Sequence, residues 1–366
     1  MNKIKLLGTF CFALLTVISV SCQDQQEKKE NDHMKETFEW GPALSCPDLY
    51  PMEVYYNRFI YADGSGDGFP ETPLYGGPWG HSGGSAVVGD DSKPMPIGLD
   101  ITWLSFTENK FYTGSFKLPY DSILELFKKG YDDYYWDDTT ESMAARHDTY
   151  NTIIAGVAPG GLVVVWLQGA RFRVEVAHFQ AKETTVNMKD FMHRDDLNVT
   201  KDEYVKSMME DEKDVTDNLA KNGIPYGLWD KYRQRFNMRP IIQYDQHHVV
   251  RTDKIDIGFF NGENDVMILD RLTAKNEFTK RARIKEIGIN WIDSLGFKKQ
   301  PYYLGIKFNE AEMFKAYKEI YDDDPNQEGE LVIEVNRGND QYRVFLQTKN
   351  KKVELLQDKG QIYFAQ

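Results

Sequence analysis

The chain has 366 residues, of which 41% are hydrophobic and 28% charged, as in folded proteins with several domains or one large domain. Its formal net charge at pH 7 is −13. Because an acidic surface repels phosphate backbones, this charge disfavours nucleic-acid binding. Aromatic residues make up 13% of the chain, which favours β-rich structure with aromatic pairs across strands.

The N-terminus carries a sorting signal. A short basic start precedes an apolar run from Leu6 to Val20, which is too short to span a bilayer comfortably and is typical of a secretory signal. The run ends in Ser-Val-Ser before Cys22. This end resembles a bacterial lipoprotein box, although Ser19 stands where Leu is usual. The resemblance implies cleavage before Cys22 and lipidation of its thiol; the alternative is an ordinary cleaved signal peptide.

The cysteines fit this interpretation. Cys11 would leave with the signal peptide (residues 1–21) and Cys22 would carry lipid, so Cys46 has no partner for an intrachain disulfide. Residues 22–38 are polar and show no core pattern, and we predict that they form a flexible tether.

The first folded unit is predicted to span residues 39–187. MEVYYNRFIYA, from Met52, has the composition of a strand. LDITWLSF and FYTGSFKL follow as a predicted hairpin around residues 107–109. A helix with apolar residues at helical spacing then ends at Gly130, and two further strands flank Ala158-Pro-Gly-Gly161.

The same order recurs near the C-terminus. EIGINWID and YYLGIKF are predicted strands, a helix follows from Asn309, and LVIEV and YRVFLQT flank Asn336-Arg-Gly338. The two series align without a gap from Tyr112 and Tyr302 through the helix, and a two-residue insertion aligns Trp103 with Trp291. We interpret this as an internal duplication.

The predicted fold is therefore α+β. Two related units, each a mainly antiparallel sheet with one packed helix in the order strand-strand-helix-strand-strand, are joined by a helical connector. The connector is assigned to residues 188–239 and the second, divergent unit to residues 240–366. Trp103 and Trp291 are expected to occupy equivalent core positions.

Two loops suggest chemistry but are interpreted as turns. Residues Asp63–Gly68 match the first half of a calcium-binding EF-hand loop, yet Leu74 stands where a bidentate Glu should be, so a tight turn is favoured. Ala158–Gly161 lacks the Lys and Ser/Thr of a phosphate-binding loop, and Pro-Gly suits the centre of a type II turn.

The other candidates are weaker still. Gly80–Gly84 matches G-x-S-x-G around Ser82, but neither the strand nor the helix that this nucleophile motif needs is evident. His247 and His248 are adjacent and would face opposite sides of a strand, which disfavours one metal site. The acidic-aromatic stretch Tyr131–Asp138 could bind a sugar or a cation, but a solvated loop is favoured. No catalytic, metal or cofactor residue is assigned.

Three stretches together resemble a known family: GLDITWLSFTENKFYTGSFKLPYDSILELFKKGY, IIAGVAPGGLVVVWLQG and AHFQAKE. They are similar to the bacterial domain-of-unknown-function family 2931, many of whose members are described as lipoproteins. The resemblance covers roughly residues 50–185. It implies export and lipidation and supplies no catalytic residues.

Two classes of function follow. The first is an exported, lipid-anchored envelope protein, periplasmic or surface-facing, that binds a partner without catalysis; one specific version neutralises a toxin as an immunity protein. Two related units could form one site between them. The alternative is an envelope hydrolase or a glycan-binding or glycan-acting protein that uses carboxylates or Ser82. The missing motif context favours the first class. The expected partners are the membrane, through the lipid anchor, and another envelope or toxin protein.

Overall fold

The computed structural model describes residues 33–69, 71–85, 92–137, 139, 142–196, 198–245, 250–268, 276–295, 298–322 and 324–364. The predicted signal peptide, Cys22 and the His247-His248 pair lie outside the described residues.

The strands of the N-terminal half are β1 Thr37–Glu39, β2 Gly41–Ser45, β3 Met52–Ile60, β4 Gly66–Asp67, β5 Pro73–Leu74, β6 Gly84–Ser85, β7 Ser92–Pro94, β8 Gly98–Ser105, β9 Lys110–Lys117, β10 Tyr131–Asp137, β11 Ser142–Asp148, β12 Thr152–Ala158, β13 Leu162–Gln168, β14 Arg173–Gln180 and β15 Lys182–Thr184. Those of the C-terminal half are β16 Phe236–Tyr244, β17 Val250–Phe259, β18 Asn264–Ile268, β19 Thr279–Arg281, β20 Ile284–Leu295, β21 Lys298–Lys307, β22 Gly329–Val335, β23 Tyr342–Thr348, β24 Lys352–Leu355 and β25 Lys359–Phe364. The helices are α1 Tyr120–Lys129, α2 Met188–Phe191, α3 Lys201–Met208, α4 Lys213–Asn222, α5 Leu228–Tyr232 and α6 Glu310–Tyr321.

The fold is α+β and mostly sheet. A ten-stranded sheet runs in the order β25-β21-β20-β17-β18-β14-β13-β12-β2-β6, so that strands of both halves share it. A six-stranded sheet from the N-terminal half has the order β15-β9-β8-β3-β4 with β5 also paired to β3, and a five-stranded sheet has the order β19-β16-β22-β23-β24. Most pairs are antiparallel, but β12 runs parallel to β2 and β16 parallel to β22.

The predicted hairpins β8–β9 and β20–β21 are confirmed, and so are the two helices that were predicted to pack on the sheets, α1 and α6. Helix α1 ends at Gly130, whose φ of 54° suits glycine. Helix α6 begins after Asn309, whose side chain accepts a hydrogen bond from the Glu312 backbone N–H. Helix α6 extends to Tyr321, whereas Tyr131 already belongs to β10. The gapless alignment therefore loses structural equivalence at that point.

The hairpin of β12 and β13 lies between two hydrophobic clusters. Ile154 and Trp166 belong to one cluster, together with most of the C-terminal core, whereas Ile153 and Val165 belong to the cluster of the N-terminal half. Because side chains alternate across a strand, a strand buried on both faces needs a continuous apolar sequence. TIIAGVA and LVVVWLQ supply that sequence.

The predicted connector differs at its end. Helices α2 to α5 lie within residues 188–239, and Phe191 and Val205 close a third cluster against β8 and β9. Strand β16, however, begins at Phe236 and places Arg239 within a sheet. None of the helices in the described ranges is long and apolar enough to cross a membrane.

Candidate functional site

The Asp63–Gly68 loop is a turn between β3 and β4. The Asp63 carboxylate accepts hydrogen bonds from the Ser65 backbone N–H at 2.9 Å and from the Ser65 hydroxyl at 2.6 Å. The Asp67 carboxylate accepts from the Tyr61 hydroxyl and pairs with the buried ammonium of Lys93 at 3.0 Å. Both carboxylates that the EF-hand pattern would supply are thus used within the protein.

We therefore keep the prediction that this loop does not bind calcium tightly. Calorimetric titration with millimolar calcium should give no isotherm, because a bound ion would have to displace the Lys93 ammonium from Asp67. An isotherm that disappears in Asp63→Ala would contradict the prediction.

In the G-x-S-x-G motif, the first glycine, Gly80, has a packing role. Ser82 is exposed and precedes the two-residue strand β6, which pairs with β2, instead of standing at a strand-to-helix turn. A Cβ on Gly80 would lie 2.8 Å from the Cα of Gly262, so glycine at this position allows the two backbones to touch. The motif joins the N-terminal half to the C-terminal half.

The Ala158–Gly161 segment is the turn between β12 and β13, as predicted. Gly160 and Gly161 both have positive φ, 84° and 81°. The Gly160 N–H donates to a carboxylate oxygen of Glu108 at 3.1 Å, and the hydroxyls of Tyr112 and Tyr226 donate to the same oxygen at 2.7 and 3.1 Å. The turn binds a carboxylate of its own chain.

The prediction of a solvated loop at Tyr131–Asp138 was wrong for most of its length. Residues 131–137 form β10, which pairs antiparallel with β11. Asp133 is buried and makes ion pairs with Arg146 and Arg171 at 3.5 and 3.7 Å. These two arginines, which follow later in the chain, offset the charge of the buried Asp133. Cys46 is buried, and burial raises the pKa of its thiol to about 12, so it stays protonated.

The two halves meet where β14 and β18 join the ten-stranded sheet. We call this contact, with the turn between β17 and β18, the seam. Arg173 and Asn264 are the strand partners across it, and the Asn264 amide donates to the Arg171 carbonyl at 2.6 Å. The indole N–H of Trp166 donates to the carbonyl of Asn261, which is fully buried.

Two buried carboxylates organise the seam. Glu175 on β14 pairs with Arg233 at 2.6 Å, and Glu263 in the seam turn pairs with Arg235 at 2.7 Å. The Glu175 backbone N–H donates to Glu263, which ties the two halves together directly. Burial raises the pKa of Glu175, although Arg233 opposes the shift. Removal of the partner arginine would leave such a carboxylate buried and unpaired, which destabilises the fold strongly.

The Arg173 side chain is also buried in the seam. Its guanidinium donates to the Gly262 carbonyl at 2.5 Å, to the Gln168 amide oxygen at 3.2 Å and to the His81 ring at 2.9 Å. Burial lowers the pKa of Arg173 to about 10, with Glu286 acting in the opposite direction. The guanidinium remains charged at neutral pH.

A cleft of about 500 Å³ opens beside the seam. The N-terminal half contributes the end of α1, β10, β11 and the start of β14; the C-terminal half contributes the seam turn and β19. His147 lines the cleft together with five Lys or Arg side chains and three carboxylates. These charged residues are Lys129, Arg173, Arg235, Lys280, Arg281, Asp132, Glu263 and Asp265. Aromatic rings of Tyr131, Tyr150, Phe172 and Phe259 complete it.

The Arg173–His81 contact predicts a pH dependence of stability. Burial, then the charges of Arg173 and Lys285, lower the pKa of His81 from 6.5 to about 4. His81 in the unfolded chain therefore binds a proton below about pH 6.5, whereas folded His81 stays neutral down to about pH 4. The free energy of unfolding therefore decreases as the pH is lowered from 6.5 towards 4. Because His81 is partly solvated, we expect a loss on the order of 1 kcal/mol.

Urea unfolding at pH 7 and pH 5 measures this effect. The His81→Gln variant should lose less stability than the wild type on going to pH 5. An equal loss in both proteins would show that His81 does not titrate as described.

Residues 23–227 match a family model described as a protein of unknown function (DUF2931). The chain belongs to this family. The match confirms the resemblance and extends it on both sides of residues 50–185, whereas residues 228–366 lie beyond it. A search of curated proteins and a search of solved structures each gave no match.

The residues of the seam were not predicted as a site. Arg173 and Glu175 belong to no sequence motif, and Glu263 lies 88 residues after Glu175, so they meet only when β14 joins β18. Glu263 lies in the acidic turn at residues 261–265. Its burial depends on packing that local sequence does not specify.

Proposed function

We propose that this protein is an exported, lipid-anchored protein of the bacterial cell envelope that binds its partner without catalysis, in the cleft beside the seam. The cleft carries the proposal, because residues from both halves and from the buried charge network form its wall. Concave sites where two structural units meet are the preferred places for ligands. The envelope location rests on the signal-like N-terminus and on the Cys22 box.

The candidate nucleophile gives the hydrolase alternative little support. Ser82 stands in an exposed bend, and its neighbour His81 is bound to a guanidinium through its ring. Burial and Arg173 also lower the pKa of His81, which makes this ring a poor base. Glu263, a carboxylate in the cleft, is held by Arg235.

The lipid anchor is tested by fractionation. In Cys22→Ala the protein should leave the membrane fraction, because several acyl chains on one cysteine supply the anchoring free energy, at about 0.8 kcal/mol for each buried methylene. Mass spectrometry of the membrane-bound wild type should find acyl groups on an N-terminal Cys22. A Cys22→Ala protein that still fractionates entirely with membranes would refute the anchor.

Binding in the cleft is tested by photo-crosslinking in intact cells. A photoreactive residue replaces Thr279, which is exposed and lines the cleft, and in a control it replaces Lys349, which lines a separate pocket. The Thr279 probe should capture a specific adduct that the Lys349 probe does not. A toxin adduct would identify the immunity version of the proposal. Identical adducts from both positions would contradict binding in the cleft.

We also infer that the two halves are related by duplication, and the strand registers support this. Val54 lies opposite Trp103 in the pair β3–β8, and Thr252 lies opposite Trp291 in the pair β17–β20. In both pairs the register shifts by one residue immediately after this position in the first strand. Bulges of this kind are specific features that families retain.

The turns and remaining strands follow the same correspondence. The Tyr61 N–H donates to the Ser65 carbonyl after β3, and the Phe259 N–H donates to the Glu263 carbonyl after β17. Each half also contains one parallel pair: β2 runs parallel to β12, which follows α1 and the β10–β11 hairpin, and β16 runs parallel to β22, which follows α6 directly. The register matches MEVYY, from Met52, to the segment that begins at Val250.

A further inference from the structure

A groove of about 490 Å³ crosses four neighbouring strands of the ten-stranded sheet, in the C-terminal half. Strands β17, β20, β21 and β25 contribute its lining. Among the described residues, this groove and the cleft beside the seam share only Asn264. A volume of this size is typical of ligand pockets.

Two glycines form the centre of the groove floor. Gly288 on β20 lies directly opposite Gly305 on β21. Glycine inside a strand weakens a sheet and often marks a place where another group approaches the backbone closely. In the hairpin β8–β9, the pair at the same distance from the buried tryptophan is Asp100 opposite Ser115. Sheet pairing alone therefore does not explain the glycines.

The group that approaches these glycines is the ring of Tyr303. A Cβ on Gly288 would lie 3.0 Å from the Tyr303 hydroxyl oxygen and 3.3 Å from its Cε2. A Cβ on Gly305 would lie 2.9 Å from the same oxygen and 3.2 Å from Cε1. Because the two edges of the ring face two different strands, the ring lies flat on the floor. Tyr303 is still 36% exposed, which leaves its other face open to solvent.

Polar side chains surround this ring. Asp256 on β17 lies opposite Gly288, and Glu286 precedes Gly288 by two residues, so both carboxylates share the face of the sheet that carries the ring. Burial raises the pKa of Tyr303, and the charges of Asp256 and Glu286 act in the same direction because they lie near its hydroxyl. Gln361 on β25 lies opposite Gly305 and adds an exposed amide.

The rest of the lining is aromatic or balances the carboxylates. Tyr363 lies opposite Tyr303 on the neighbouring strand and is 51% exposed, so a second ring borders the groove. Lys307 and Lys359 supply two ammonium groups against the two carboxylates. The formal charge of the lining is therefore close to zero, which favours an uncharged ligand over a strongly charged one.

We propose that this groove binds a glycan of uncharged sugar rings, with one ring stacked on the open face of Tyr303. The face of a sugar ring carries C–H groups, for which a flat aromatic ring supplies apolar contact. Its edge carries hydroxyls, which can donate to the carboxylates of Asp256 and Glu286 and can both donate to and accept from the amide of Gln361. This site goes beyond the binding proposed for the cleft, and neither proposal depends on the other.

Calorimetric titration of the full chain without its signal peptide tests the ligand class. The probes are cellohexaose, maltohexaose, mannohexaose and chitohexaose, with the charged oligogalacturonate for comparison. At least one of the uncharged hexasaccharides should give an isotherm at millimolar concentration. Oligogalacturonate should bind more weakly than that hexasaccharide, because the carboxylates of the groove would repel it.

Variants of Tyr303 test the stacking. Tyr303→Ala should weaken binding of the preferred hexasaccharide about tenfold, the loss expected for one aromatic contact. Tyr303→Phe keeps the ring and should stay within about threefold of the wild type, since only a hydroxyl is lost. Tyr56→Ala is the control, because Tyr56 is an exposed tyrosine on β3 of the six-stranded sheet and should leave binding unchanged.

A variant of the floor tests the orientation of the ring. Gly305→Ala keeps the tyrosine but places a Cβ 2.9 Å from its hydroxyl oxygen, so the ring must rise from the floor. We expect a loss of affinity similar to that of Tyr303→Ala. The displaced group is the exposed end of a side chain, so Gly305→Ala should fold normally, and its urea midpoint checks this.

Four outcomes overturn the proposal. They are an absence of binding by all four uncharged hexasaccharides, equally tight binding of oligogalacturonate, undiminished binding in both Tyr303→Ala and Gly305→Ala, and a Tyr303→Phe variant as weak as Tyr303→Ala. A photoreactive residue at Gln361 that captures a protein, when the hexasaccharides do not bind, would assign the groove to a protein partner instead. None of these results bears on capture by the Thr279 probe in the cleft.

Discussion

Replacement of Trp291 by alanine is expected to lower the free energy of unfolding by about 3–5 kcal/mol, from lost transfer free energy and the cavity left behind. Trp291 is 1% exposed and stacks on Tyr302 at a centroid distance of 5.5 Å. Its indole N–H also donates to Asn339, which in turn donates to the buried Asp293. The alanine variant leaves that amide without the indole, which adds to the cost.

Trp103→Ala should lose a similar amount, at the lower end of the range. Trp103 has the same exposure and stacks on Tyr112 at 5.3 Å, and the repeat alignment matches Tyr112 with Tyr302, on which Trp291 stacks. Tyr56→Ala is the control, since Tyr56 is exposed on the neighbouring strand and should change stability by less than about 0.5 kcal/mol. Denaturation midpoints in urea measure all three. Losses for the tryptophans no larger than the Tyr56 loss would contradict their core role.

The second large expected loss of stability comes from substitution of Gly262 in the seam. Gly262 has a φ of 87°, and a Cβ there would lie 2.8 Å from the Trp79 carbonyl oxygen and 2.9 Å from the Cα of Gly80. Gly64 occupies the corresponding turn with a φ of 82°, but a Cβ there would meet nothing within 4 Å. The two glycines therefore share backbone strain and differ in packing.

Gly64→Ala should cost about 1–2 kcal/mol, the penalty for an L-residue with a left-handed backbone. Gly262→Ala should cost at least about 2 kcal/mol more, because the backbones of the two halves must separate. Urea unfolding of both variants provides the comparison. Equal losses would show that the halves are not in tight contact at the seam.

The elements with strong local patterns were predictable from sequence. The hairpin of β8 and β9, the helix that ends at Gly130 and the helix that begins after Asn309 each combine hydrophobic periodicity with a turn or cap residue. Burial of both Trp103 and Trp291 is likewise confirmed. Local chemistry also explains why the Asp63–Gly68 loop is a turn, since the Asp63 carboxylate accepts hydrogen bonds from Ser65 within the loop.

The parts that escaped prediction depend on partners distant in sequence. Strand β10 contains the buried Asp133, whose ion-pair partners Arg146 and Arg171 both lie outside that strand. Strand β14 continues into the C-terminal half through Arg173 and Asn264, which are the partners of a single register position. Such long-range pairing has no local periodicity, so the seam and its cleft had to come from the structure.

If both halves build one binding site, photoreactive probes on its two sides should capture the same partner. One probe replaces Asp132, exposed on the N-terminal side of the cleft, and a second replaces Thr279 on the C-terminal side. We expect an adduct of the same mass from both positions in intact cells and no such adduct from the Lys349 control. Different adducts from the two sides, or capture from one side alone, would contradict it.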